Sequence, residues 1–191
     1  MTRIYTTRGG QTAMFPRAKP KGESQANRGM EFEHELMAMH ALYRRRKMAR
    51  VEKNYLQTQP LKDARLARVT GKAIVDFTGT LAPSGRSVAF DAKDCVGRRI
   101  ELNRLADHQI DYLGDVHALG GLAFVLVRFE RRRVYRVPVD VWSDAVQYHT
   151  YSEMPQRVDG WKPKNKASLS ETDMRPEWAV KGVDWLGGIE R

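Results

Sequence analysis

The segment Leu122-Ala-Phe-Val-Leu-Val-Arg-Phe129 constrains the fold more than any other part of this chain. A strand this continuously apolar lacks the alternation of a half-solvated strand, so it is buried on both faces of a sheet and needs a layer on each side. Gly120-Gly121 precedes it and the charged turn Glu130 to Arg133 follows, leading into a second strand, Val134 to Val137. Upstream, Leu105, Ile110, Leu113 and Val116 predict a helix over about 102–119, ended by the glycine pair. A short helix is expected from about Asp140 to Tyr148.

Towards the N-terminus, Phe32, Leu36, Met39 and Tyr43 recur at the spacing of one helical face. That helix is expected to start near Asn27, a suitable N-cap, and to run to about Lys47. A weakly patterned strand over 49–56 and a break at Pro60 come next. Two strands, Lys72 to Thr78 and Arg86 to Lys93, are then joined by the turn Leu81-Ala-Pro-Ser-Gly85. The order helix, strands, helix, strand, strand predicts an α/β fold, a mixed central sheet flanked by helices with its chemistry at one sheet edge. Residues 1–26 read as a flexible basic tail and 27–191 as one domain, with a core over about 27–150 and a C-terminal extension over 151–191. Trp161, Trp178 and Trp185 in that extension are expected to anchor it to the body or to a dimer partner.

Charge narrows the partner. Lys and Arg number 33 against 23 Asp and Glu, a formal net charge of +10. Such an excess favours a polyanion, because every phosphate neutralised releases condensed counterions, and nucleic acid is the leading choice. The single cysteine, Cys95, excludes an intrachain disulfide and a cysteine-rich zinc site, and suits a reducing cytoplasm. No apolar run approaches the roughly 20 residues that span a bilayer, so no membrane partner is expected. The five histidines lack zinc-protease spacing.

The chemistry concentrates in Ile74-Val-Asp-Phe77 and Phe90-Asp-Ala-Lys93. Strand alternation puts Asp91 and Lys93 on one face, and a hairpin brings Asp76 beside them. An Asp and a Lys two apart on a strand are commonly a solvated surface pair. Here an acid precedes them on a neighbouring strand, a helix follows and the chain is basic. Two carboxylates and an ammonium on one face suit a divalent cation, since Mg²⁺ takes oxygen ligands and completes its shell with water and phosphate. The lysine can then stabilise charge on a scissile phosphate. Arg98, Arg99 and Arg104, close to this site in sequence, and Arg28 are candidate phosphate contacts.

Several stretches together carry a family resemblance. Asn27-Arg-Gly-Met30 with Phe32-Glu33, Val75-Asp-Phe-Thr-Gly79, Phe90-Asp-Ala-Lys93, Leu102-Asn103 with His108-Gln-Ile110, and Gly120-Gly-Leu-Ala-Phe124 with Val134-Tyr135 resemble the signatures of RecU Holliday-junction resolvases. These are nucleases of the PD-(D/E)XK type. The resemblance implies the restriction-endonuclease-like fold and a homodimer that binds four-way DNA junctions. It implies paired symmetric nicks in recombination and repair, with Mg²⁺ as cofactor and Mn²⁺ as a substitute. Asp76 and Asp91 would ligate metal, Gln109 would bind metal or orient water, Lys93 would stabilise the transition state, and Glu33 would be a helper acid. Arg28, Arg45, Arg65, Arg68, Arg98, Arg99 and Arg104 are the expected DNA contacts, with a recombinase or branch-migration protein as a further partner.

Three departures stand out. Asp91 replaces the family's usual Glu, Ile74 replaces a hydroxyl residue, and the segment between Pro60 and Asp76 is shorter than the family's stalk. The alternatives are a PD-(D/E)XK nuclease of ordinary duplex DNA and a non-catalytic DNA-binding recombination protein.

Overall fold

A computed structural model of the chain describes residues 5–6, 12–13, 25–55, 58–60, 67–69, 74–152 and 159–189, with side chains over 28–55, 74–152 and 159–189. Helix α1 (Gln25–Arg45) leads into strand β1 (Ala49–Lys53). Strands β2 (Phe77–Leu81) and β3 (Ser87–Cys95) form the hairpin. Helix α2 (Asp107–Ala118) carries the chain to β4 (Leu122–Phe129), which turns into β5 (Arg133–Pro138) and helix α3 (Val139–Tyr151). Near the C-terminus a two-residue strand, β6 (Ala179–Val180), joins the sheet. The six strands lie in the order β6-β5-β4-β3-β2-β1. Only the β3–β4 pair is parallel, and α2 makes the crossover that a parallel pair requires. This is the mixed α/β architecture expected from the order of elements.

Alternation along β3 and β4 builds two cores. Val88 and Phe90, with Phe124 and Leu126, pack on one face against Phe32, Leu36 and Tyr43 of α1. Ala89, Val125, Val127 and Phe129 pack on the other against Leu113 of α2 and Trp142 of α3. The β4 side chains from Ala123 to Phe129 are all buried, as a strand covered on both faces must be.

The tryptophans divide between the layers. Trp161 and Trp178 meet edge to face at 5.8 Å in the α2/α3 core. Trp185 is fully buried on the α1 side, where its indole N–H donates to His40 Nε2 at 3.0 Å. Burial holds that histidine neutral, with its pKa down to about 4. The extension is thus anchored to the body of the chain.

Several boundaries differ from expectation. Helix α1 starts at Gln25, so Asn27 lies inside its first turn rather than capping it; Gln and Ala are ordinary helix formers and need no stop there. Of the expected strand over 72–78, residues 72–73 lie outside the described residues, and among the rest the strand begins at Phe77, because side chains bond the backbone on either side of Asp76. The Ala92 N–H donates to the Asp76 carboxylate at 2.9 Å, and Asn54 Nδ2 donates to the Val75 carbonyl at 3.0 Å. The expected helix over 102–119 is split into a 3₁₀ turn, Leu102–Arg104, and α2, because Ala106 is extended and its N–H is capped by Gln109 Oε1 at 3.1 Å.

Candidate active site

The β2–β3 register aligns Phe77 with Phe90, so the next positions, Asp76 and Asp91, lie opposite one another just past the end of β2. Gly79 permits that alignment. A Cβ there would lie 2.1 Å from the Arg50 carbonyl oxygen, so a larger residue would push β1 and β2 apart. Asn54, at the end of β1, brackets the turn: its N–H donates to the Asp76 carbonyl at 2.8 Å.

Asp91 is completely buried. Gln109 Nε2 donates to its Oδ2 at 2.7 Å, and the Lys93 ammonium forms an ion pair with its Oδ1. That Oδ1 nevertheless accepts no hydrogen bond of acceptable geometry, which leaves a buried oxygen incompletely satisfied. Burial first, then the neighbouring Asp91 charge, raises the Asp76 pKa from 3.8 to about 6, partly offset by the Ala92 N–H and by Lys93. One ammonium therefore serves two carboxylates, Asp91 fully buried and Asp76 partly so.

An all-oxygen donor set short of positive charge fits a hard divalent cation. Among the described residues no three His, Cys, Asp or Glu side chains converge as a metal site. The two aspartates would then be the protein's anionic donors to such an ion, with water and phosphate completing the shell. Gln109 is engaged at both ends, by the Ala106 N–H and by Asp91, so it orients Asp91.

This charge imbalance has a measurable consequence. With a pKa raised in the folded state, Asp76 binds more protons folded than unfolded between pH 4 and 6, so its contribution destabilises as pH rises through that window. In EDTA, Asp76→Asn is expected to be more stable than wild type by roughly 2–3 kcal/mol at pH 8. The two should converge near pH 4. Urea melts at both pH values test this, and an Asn variant no more stable at pH 8 would refute it.

Other expected residues lie at varying distances from this centre. Glu33 ion-pairs with Lys53 on the α1 side, next along β1 from Asn54, and makes no contact with Asp91 among the described interactions. Arg104 donates to the Asp94 carbonyl at 3.0 Å and to Cys95 Sγ at 3.2 Å, beneath the end of β3. Arg98 pairs with Glu171 at 2.7 Å and Arg99 reaches Ser168 Oγ at 3.0 Å, so both brace the short pairing of Arg99–Glu101 with Ser168–Ser170. Arg45 lies exposed in the last turn of α1. Arg65 falls outside the described residues, and of Arg68 only the backbone is described, in a strand Ala67–Val69 that pairs antiparallel with Thr58–Pro60. Exposed Ile74 stands beside Asp76 and supplies no ligand.

Arg128 is the residue that sequence reading missed. It is buried at 3%, makes two hydrogen bonds to Asp94 at 2.9 and 3.1 Å, reaches Glu35 at 2.8 Å and stacks on Phe32 at 4.3 Å. It ties β4 to β3, one residue beyond Lys93, and both strands to α1. The only available signal was a charge within an apolar run.

The fold and site together define a mixed α/β protein in which two aspartates and a lysine converge at one step of the central sheet. The model of the RecU family, Recombination protein U, matches residues 27–158, and this chain belongs to that family. It is 30% identical over 122 residues to Holliday junction resolvase RecU of Lactococcus lactis subsp. lactis (strain IL1403), covering 58% of this chain and 56% of that protein. The corresponding protein of Geobacillus thermodenitrificans (strain NG80-2) is 31% identical over 121 residues, 58% of this chain and 59% of its own length. The chain thus spans less than two thirds of the curated relatives it matches. Among solved structures, Hjc of Archaeoglobus fulgidus, a Holliday junction resolvase, aligns with a TM-score of 0.46 and 14% identity over 86% of this chain and 99% of its own. No helix among the described residues is long and apolar enough to cross a membrane.

Proposed function

We propose that this chain is a divalent-metal-dependent endonuclease that nicks four-way DNA junctions symmetrically, as a homodimer. The observation that carries the reading is the convergence of Asp76, Asp91 and Lys93 at the step where β3 runs past β2, in a chain of the RecU family. The relatives named as Holliday junction resolvases supply the substrate class. A two-fold dimer presents two such sites with the symmetry that two coordinated cuts require. Basic side chains hold phosphates, which carry little sequence information, so recognition is by shape.

Asp76 and Asp91 would hold the ion, with Mg²⁺ the preferred species and Mn²⁺ a substitute. When bound, that ion polarises the phosphate and lowers the pKa of an attacking water. Gln109 fixes the rotamer of Asp91 from α2. The Lys93 ammonium, held by Asp91 and still 15% exposed, is placed to meet negative charge developing on a phosphate oxygen. Glu33 acts from the α1 side, outside the pair of aspartates, and its ion pair with Lys53 steadies that rim of the site. A recombinase or branch-migration protein remains the proposed macromolecular partner.

A second reading, cleavage of ordinary duplex, is favoured by the segment between Pro60 and Asp76, which is shorter than the stalk of the family it resembles. A mobile four-way junction and a matched linear duplex, each with Mg²⁺, Mn²⁺ or EDTA, separate the readings. Paired nicks in the junction alone, lost in EDTA, are expected. Equal cutting of both substrates supports the duplex enzyme, and binding with no cutting under any metal makes this a non-catalytic DNA-binding relative.

A further inference from the structure

The turn joining β4 to β5 has an unusual backbone. The Arg132 N–H closes it on the Phe129 carbonyl at 3.0 Å, and the two central residues, Glu130 and Arg131, have φ of 49° and 58°. Turns of this kind are normally made by Asn and Gly, which enter the left-handed region without the Cβ clash that a long side chain suffers. Here a glutamate and an arginine occupy both positions. Backbone held in a disfavoured region points to a function for the side chains it presents.

Those side chains face a cleft of about 470 Å³ lined by Arg28, Val96, Glu130, Arg131 and Arg132. Three arginines there meet one acid, and that acid turns away to Arg133 at 2.5 Å. Arg131 pairs with Glu31 at 3.4 Å, with both side chains close to half exposed, an ion pair of the kind that contributes little to stability. Arg132 is exposed, with no ion pair among the described residues. The Glu130 N–H donates to the Cys95 carbonyl at 3.0 Å, fastening the turn to the end of β3. Val96 directly follows Cys95, the last residue of β3, and lies three residues past Lys93, about 10 Å at the rise of extended chain. That equals about three nucleotides of rise along a B-form strand.

We infer that Arg28 and the Glu130–Arg132 turn form a phosphate-binding cleft that grips the DNA backbone a few nucleotides from the cleaved bond. The inference rests on the DNA-binding part of the function proposed above and not on its cleavage part. Arg131 and Arg132 supply the charge, the Cys95–Glu130 hydrogen bond holds them to the strand that carries Lys93, and Arg28 closes the opposite wall from α1. A glycine in place of Arg131 would relax the backbone and lose that residue's contact.

The test is DNA binding in EDTA, by fluorescence anisotropy on a four-way junction and on linear duplex, over a range of KCl concentrations. Arg131→Gly/Arg132→Ala is expected to bind about tenfold more weakly. The slope of log K against log [salt] should become shallower by about 1 to 2, since each lost phosphate contact removes about 0.9. Its Tm should equal or exceed that of wild type. Glu130→Gly, which relaxes the same turn and removes only the acid, is expected to bind at least as tightly as wild type. Should the double variant fold poorly, Arg132→Glu alone gives the same reading of the slope. A wild-type slope in the folded arginine variants, with wild-type protein binding DNA normally, overturns the cleft and leaves the nuclease reading intact. Wild-type protein that binds neither DNA overturns both.

Discussion

Asp91→Asn is expected to abolish metal-dependent cleavage, with a loss of at least about 10²–10³-fold, the scale on which single preorganised electrostatic groups contribute. The substitution changes almost no volume. The Asn carbonyl can still accept the Gln109 hydrogen bond, so the rotamer and the local packing survive. What disappears is the negative charge on a completely buried group, and with it both the counter-charge that holds Lys93 and one of the two proposed anionic donors for the ion. Junction affinity in EDTA should be unchanged or slightly tighter, because a negative charge has left the neighbourhood of the bound phosphate. Lys93→Met should lose activity on a similar scale with metal binding retained, since the carboxylates remain. Single-turnover cleavage of a labelled junction, paired with metal binding by calorimetry, reads both variants. An Asp91→Asn enzyme within tenfold of wild type would place the reacting centre elsewhere.

The largest stability effect is expected one residue further along β3. Asp94→Ala removes the carboxylate that holds Arg128 bidentately and leaves a buried guanidinium facing only the half-exposed Glu35. Burial alone would lower the Arg128 pKa, and the bonds to Asp94 and Glu35 outweigh it, so the group is charged in the folded protein. Breaking a buried pair from one side costs about 3–5 kcal/mol. For a chain of this size that is a fall in Tm of about 10 °C. Replacing both partners, as in Asp94→Leu/Arg128→Met, should recover most of the loss, because no uncompensated charge remains. Thermal melts of the single and double variants decide it: a single variant within about 2 °C of wild type would mean the network adds nothing to stability.

Part of the site is legible in local pattern. Asp91 and Lys93 share a face because strand alternation has a period of two, and Asp76 meets them because one short turn joins β2 to β3. The double-sided burial of β4 is equally plain from its apolar run, interrupted only at Arg128. Arg128 is not, although it stands in the same run. An arginine inside a strand is tolerated only if acids come from elsewhere, and here they come from Asp94 on β3 and Glu35 on α1, 34 and 93 residues away in sequence. The roles of Arg98, Arg99 and Arg104 are obscured for the same reason. Closeness to Lys93 in sequence suggests phosphate contact, whereas the fold commits them to Glu171, Ser168 and the β3 carbonyl of Asp94.

The amino-acid order thus dictates the number and succession of the main elements, the face on which each side chain points within an element, and the carboxylate–lysine motif. These follow from local periodicity and turn chemistry, which act over a few residues. It takes the assembled fold to bring Gln109 from α2 to Asp91, to pair Glu33 with Lys53, and to seat Trp185 in the α1 core against His40. Contacts of that kind depend on how two sheet faces are jointly covered by helices and by the C-terminal segment. That is a balance of burial and buried-charge pairing over the whole chain, which no local pattern records.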